Sequence, residues 1–275
     1  TPLTEQMRNN LSVINNAYAL TNIDVKIDNQ NQLELNQRVR GDPEKMGIDI
    51  TRKFVHRVFN NSSWEQGGRL YGAFWHMLPK EYRPYIVIDG KETVEIDFSA
   101  MHFRILYARD GLFVPKDEDP YTLIGLTGRA WRKVIKLSCN MMLNSESRDA
   151  AKHVIAQEVI TTSELPPEYP TLNEFIDAIL ERHKVIKHHF FKGLGVNLQY
   201  IDSVIAEQVI LRMLQYGYVV LSVHDSFIVR KVRQGLLHDV MEEVFSEVVN
   251  AEVSLDTTKK ESNNTEVDIE TVMAT

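Results

Sequence analysis

The feature that most constrains this chain is a pair of apolar, β-branched runs that each carry an aspartate to their end. Val94, Ile96 and Phe98 surround Asp97, and Val220, Leu221 and Val223 precede Asp225. Runs of this kind read as buried strands. A carboxylate where a buried strand meets solvent costs desolvation energy unless something compensates it, and a divalent cation does so directly. Two such aspartates on neighbouring strands can hold two Mg2+ ions about 3.5–4 Å apart, an arrangement that activates an attacking hydroxyl and stabilises a leaving oxygen. Taken alone, either aspartate is more simply a turn residue or a strand-end cap, so the residues between them have to decide.

The surrounding pattern predicts an α+β chain. Residues 1 to about 45, rich in Asn, Gln and Asp, read as a partly helical arm, and 1–66 as an N-terminal helical arm or thumb-like region. Asp49 to Asn60 places Ile50, Phe54, Val55, Val58 and Phe59 at helical spacing, followed by a turn-rich break to Gly68. Tyr85–Asp89 and Thr93–Phe98 read as strands joined by Asp89-Gly90, a tight-hairpin dipeptide. Ala100–Ala108 reads as a helix, Gly111–Pro120 as a loop, and Tyr121 to about Leu143 as mainly helical. Beyond Pro166, Pro167 and Pro170, helices are expected over Leu172–Phe191 and Gln199–Tyr216. Tyr218–Val223 and Phe227–Val229 form a hairpin pattern with His224-Asp225 at its tip, and Leu236–Val249 reads as an amphipathic helix. The division expected is a catalytic unit over 67–255 and an acidic, flexible tail over 256–275.

Composition narrows the classes. The 275 residues are 43% hydrophobic and 25% charged, with no run of apolar residues long enough for a membrane span. No basic-then-apolar leader opens the chain, and the single cysteine, Cys139, excludes an internal disulfide framework and suits a cytoplasmic location. The net charge of -7 is concentrated between Asp239 and Glu270, leaving the rest close to neutral. Bulk charge therefore neither supports nor opposes a polyanion partner, and local patches must decide.

Those patches follow an order. Ile96-Asp97-Phe98-Ser99-Ala100-Met101-His102-Phe103-Arg104 resembles motif A of the family A polymerases, the bacterial DNA polymerase I family. Gly68-Arg69-Leu70 resembles the segment that precedes that motif, and Asp119-Pro120-Tyr121-Thr122 the turn before the fingers. Arg132-Lys133-Val134-Ile135-Lys136 is similar to motif B; Arg132 and Lys136, four apart, share a helix face and can meet one triphosphate. Val223-His224-Asp225-Ser226-Phe227 is similar to motif C, and its Ser-Phe continuation resembles the single-subunit phage-type RNA polymerases. The resemblance covers roughly residues 67 to 230.

It implies a polymerase-type palm whose antiparallel sheet carries both aspartates, with a reduced helical fingers subdomain. Asp97, Asp225 and the Phe98 carbonyl would bind two Mg2+ ions, with Mn2+ as an alternative. Arg132 and Lys136 would hold the phosphates, Lys136 would protonate the pyrophosphate, and His224 would position the primer end. Arg69, Asn197 and Gln199 would contact primer–template DNA or RNA. The implied activity is template-directed extension of a primer 3′-hydroxyl from nucleoside triphosphates.

The sequence departs from the DNA enzymes where the sugar is read. His102 stands where they have Glu, Asn140 where they have an aromatic, and Asn144-Ser145 where they have Tyr-Gly. RNA polymerase or primase-like activity with NTPs therefore stays open. So do a silenced nucleic-acid-binding module and a metal-dependent nuclease using the aspartates with His188 or His189. The short spacings leave little room for full fingers, which makes an accessory protein, or a longer parent chain, a further expectation. His183, His188 and His189 read as part of a basic face rather than a zinc site, because adjacent histidines diverge on a helix. Arg52, Lys53, Arg57 and Arg69, with Trp64 and Tyr71, read as a strip following a nucleic-acid backbone, and Asp202 as solvent-facing.

Overall fold

The computed structural model of the chain describes residues 1–27, 34–35, 48–160 and 164–258. Helix α1 (Pro2–Leu20) starts at a capping box between Thr1 and Thr4 and buries Met7, Ile14 and Tyr18. Tyr18 donates its hydroxyl to the Val220 carbonyl, and Lys53 Nζ meets the Ala19 and Thr21 carbonyls at the helix end. Strands β1 (Ile23–Val25), β2 (His56–Phe59) and β3 (Gly67–Tyr71) follow. The helical spacing over Asp49–Asn60 does not produce a helix. Residues 56–59 instead pair antiparallel with β3, and of the apolar positions that suggested a helix Val55 is buried while Ile50, Phe54 and Val58 are exposed.

The short helix α2 (Phe74–Met77) leads through a 3-10 segment, Lys80–Tyr85, into β4 (Ile86–Ile88) and β5 (Lys91–Phe98). Asp89 and Gly90 both take positive φ, as a two-residue hairpin requires. After β5 come α3 (Met101–Arg109), α4 (Arg129–Asn144), α5 (Arg148–Glu158) and α6 (Leu172–Arg182). The helix expected from Tyr121 begins only at Arg129, because Gly125 and Gly128 hold the preceding turn in left-handed backbone. The expected Leu172–Phe191 helix breaks at His183 into a 3-10 segment, Lys184–His189. The 21-residue α7 (Gly195–Gln215), β6 (Leu221–Val223), β7 (Ser226–Arg230), α8 (Gln234–Val249) and β8 (Leu255–Thr258) complete the described chain.

These strands give the α+β architecture expected, a mixed fold around an antiparallel sheet. The main sheet runs β1-β4-β5-β7-β6, and β8 pairs with β5 on the edge opposite β7. Central β5 is thus paired on both sides, which places the end of this strand inside the sheet rather than at its margin. Helix α7 packs across β3. Gly68 makes that approach possible: its φ is +80°, and a Cβ there would stand 2.9 Å from Ser203 Oγ. The core draws on α1, α3, α7, α8 and the sheet together. Among the described residues no helix is long and apolar enough to cross a membrane. The expected acidic tail beyond Thr258, and most of the arm between residues 28 and 47, lie outside the described residues.

Candidate active site

The sheet register brings the two aspartates together. Asp97 is opposite Ser226 across β5 and β7, and the Phe98 amide donates to the Asp225 carbonyl at 3.2 Å. The β6–β7 hairpin turns at His224-Asp225, with His224 at φ 58°, so its tip stands level with the end of β5. Burial, and then the neighbouring Asp225 carboxylate, push the Asp97 carboxyl up to about 7; Lys136 and Lys80 pull it back. Asp97 Oδ1 is buried with no hydrogen-bond partner. An unpartnered carboxylate oxygen beside a second carboxylate fits a hard divalent cation.

Helix α4 faces this pair with its basic side. Arg132 and Lys136 both lie over the Tyr121 ring, at 5.5 and 5.9 Å from its centroid. The Asp119 carboxylate accepts from Arg132 Nε and from the Tyr121 amide, which ties the turn at residues 119–122 to the helix. A cavity of about 270 Å³ opens between the sheet end, α4 and α7. Arg69, Phe98, His102, Lys136, Asn140, Asn144, Gln199 and Asp225 line it, together with Tyr121. Most of the residues singled out in the sequence therefore meet at one place.

Several take different positions. His224 packs on Tyr71 with ring centroids 5.4 Å apart and stacks on His76, and it does not line the cavity. Burial lowers the pKa of His224 and takes that of His76 down to about 4, so the His76 imidazole is neutral near pH 7. Asn197, like Gln199, belongs to the first turns of α7, whose N-cap is Leu194, but only Gln199 reaches the cavity. Asn144 donates to the Asn140 carbonyl and fills the space above Gly195, where a Cβ would come within 1.5 Å of its Oδ1.

Asp202 is a correction. Its carboxylate is buried rather than solvent-facing: Arg69 grips it through Nε and a terminal nitrogen, and His102 Nε2 lies 3.2 Å away. An apolar helix carries it there because Arg69 and His102 supply the compensation that burial demands. Arg57 is also internal, donating to Glu207, Ser203 and the Gly68 carbonyl, and Lys53 caps α1. Of the expected basic strip, Arg69 alone lines the cavity. Lys80, whose charge also acts on Asp97, has no spacing or motif that marks it in the sequence.

The histidine group separates too. His183 is buried between the Tyr107 hydroxyl and the Pro120 carbonyl, and burial lowers its pKa to about 4. His188 and His189 converge on Asp110 instead of diverging, because they sit in a tight 3-10 segment and not in a helix. Asp110 follows the far end of α3, roughly 13 Å of helix beyond its start at 1.5 Å per residue. The aspartate pair and these histidines do not form one site.

No protein-family model matches the sequence, and no curated protein matches it. Among solved structures, the chain is similar to the POL domain of Pol1 from M. smegmatis in complex with DNA primer-template and dNTP. The TM-score is 0.47 at 15% identity, and the match covers 76% of this chain and 48% of that one. The chain thus spans about half the length of that domain. A likeness at this level carries no weight for activity, so function has to be argued from the cavity itself.

Proposed function

We propose that this chain is a template-directed nucleotidyltransferase with a family A-like polymerase palm, extending a primer 3′-hydroxyl with a nucleoside triphosphate. The observation that carries it is a cavity lined by both Asp225 and Lys136, with the Asp97 carboxylate buried just behind that lining, within electrostatic reach of both and with its Oδ1 unpartnered. Asp97, Asp225 and the Phe98 carbonyl would hold Mg2+, or Mn2+ in its place. Bound there, such ions acidify a hydroxyl and neutralise charge on a transferring phosphoryl group.

The chain's own residues supply the rest. Lys136, over the Tyr121 ring, presents its ammonium to the triphosphate and can give a proton to the leaving pyrophosphate. Arg132, shared with Asp119 and half-exposed, binds phosphate from the rim. Arg69, held flat by Asp202, and Gln199 face the cavity where primer–template would lie. Asn140, Asn144 and His102 line the cavity at the positions where the resemblance implies that the sugar is read. They are smaller or less acidic than the DNA enzymes' residues, which leaves both dNTPs and NTPs as substrates to be tried.

Extension of a labelled primer–template with Mg2+, supplying dNTPs and NTPs separately, tests the assignment. Activity lost in Asp225→Ala supports it, and the nucleotide set accepted settles the sugar. Retained extension in Asp225→Ala would sink it. Tight binding of primer–template without extension by either set would point to a silenced module or a missing accessory protein.

A further inference from the structure

Asp110 ends α3, and the 3-10 segment Lys184–His189 packs against that helix. His189 Nε2 lies 3.0 Å from Asp110 Oδ1, and His188 Nε2 lies 3.4 Å from Asp110 Oδ2. The two imidazole centroids are 4.1 Å apart, tilted by 38°. One donor atom from each of the three residues lies within 4.8 Å of the other two.

An ordinary ion pair leaves much of this unexplained. One histidine satisfies one carboxylate oxygen, and here His189 does so. Asp110 Oδ2 is nevertheless buried with no hydrogen-bond donor, and the second imidazole faces it without bonding to it. Two adjacent imidazoles turned onto the same carboxylate gain little from each other if both are protonated. A dication changes the balance, since neutral imidazoles offer lone pairs and the carboxylate offers charge.

The spacing suits such an ion. Ligand atoms about 2.0–2.2 Å from a tetrahedral zinc stand roughly 3.3–3.6 Å from one another. The two imidazoles stand 3.0 and 3.4 Å from different oxygens of Asp110, and one donor atom of each residue lies within 4.8 Å of the other two, separations that small side-chain rotations bring to that edge length. The carbonyl end of α3 adds partial negative charge at the same point. Two nitrogens and one carboxylate select a borderline transition-metal ion over Mg2+, which prefers oxygen.

We propose that Asp110, His188 and His189 form a site for a dication of the Zn2+ class, separate from the aspartate pair, which clamps the Lys184–His189 segment to the end of α3. Three protein ligands leave one coordination position for water. The proposal does not depend on the polymerase assignment.

The full chain is titrated with Co2+ in excess Mg2+, and the visible absorption of nitrogen-ligated cobalt is followed. One equivalent should bind, and Zn2+ should displace it and raise Tm. His188→Ala should weaken binding at least about tenfold. His188 is 60% exposed, so its removal spares the fold. His189→Ala should act likewise, whereas His153→Ala, an exposed histidine elsewhere, should change nothing. Unaltered Co2+ binding in folded His188→Ala and His189→Ala, or no binding below millimolar Co2+, would overturn the proposal.

Discussion

Asp97 and Asp202 stand beside the same cavity and differ in what compensates them. Asp202 is fully surrounded: Arg69 and His102 provide a charge and donors for its carboxylate, and its site is complete within the protein. Asp97 has another carboxylate as its neighbour, an orphaned oxygen, and Lys136 and Lys80 only at a distance. The first is a structural anchor that fixes two lining side chains. Under the proposed function the second is an incomplete site, whose electrostatic cost a bound cation would relieve. One residue type, placed in two environments, thus separates what holds the cavity together from what the cavity is for.

Substitution should split the two roles. Asp97→Ala or Asp225→Ala is expected to reduce primer extension by about 10³-fold or more while leaving unfolding by urea unchanged or shifted upward. Asp202→Ala should do the reverse in its first effect. It leaves Arg69 without its buried counter-charge, and a loss of about 3–5 kcal/mol in denaturant-measured stability is expected. If Asp202→Ala proves neutral in stability, the anchor role fails.

The pH dependence sharpens the same contrast. Because the folded Asp97 carboxyl is raised to about 7 above an ordinary value near 3.8, the folded state holds an extra proton between those pH values. Stability without divalent cations should therefore fall as pH rises through that window, and the cost is fully present above it. Asp97→Asn should relieve at most about 4 kcal/mol at pH 8 and less than half of that at pH 5. Thermal melts in chelator at the two pH values check this.

The smallest effect concerns the sugar wall. Gly195→Ala pushes the Asn144 side chain out of its seat, since the new Cβ would fall 1.5 Å from its Oδ1. A flexible side chain can swing away, so stability should change by about 1 kcal/mol or less. The ratio of dNTP to NTP use should nonetheless move, and single-nucleotide incorporation measures it.

How much of this was legible beforehand follows the range of the interactions. The Asp97 and Asp225 strand ends, the Asp89-Gly90 hairpin and the Arg132–Lys136 face were read from local patterns, and the structure has each of those elements. The segment at residues 56–59 was misread because its apolar spacing fits a helix, while pairing with β3 is a contact that no local window contains. Asp202 was misread for the same reason: its partners are 133 and 100 residues away in sequence. The convergence of His188 and His189 needed the helix to break at His183, which periodicity did not signal.

The most direct test of the central claim counts Mn2+ bound at pH 7.5, from the loss of the free-ion signal in electron paramagnetic resonance. It compares the wild-type chain with Asp97→Asn and Asp225→Asn, all carrying His188→Ala to remove the second candidate site. The account requires binding that both aspartate variants lose while remaining folded. Equal Mn2+ binding in all three chains would contradict it, and would leave the buried carboxylate pair without the role assigned to it here.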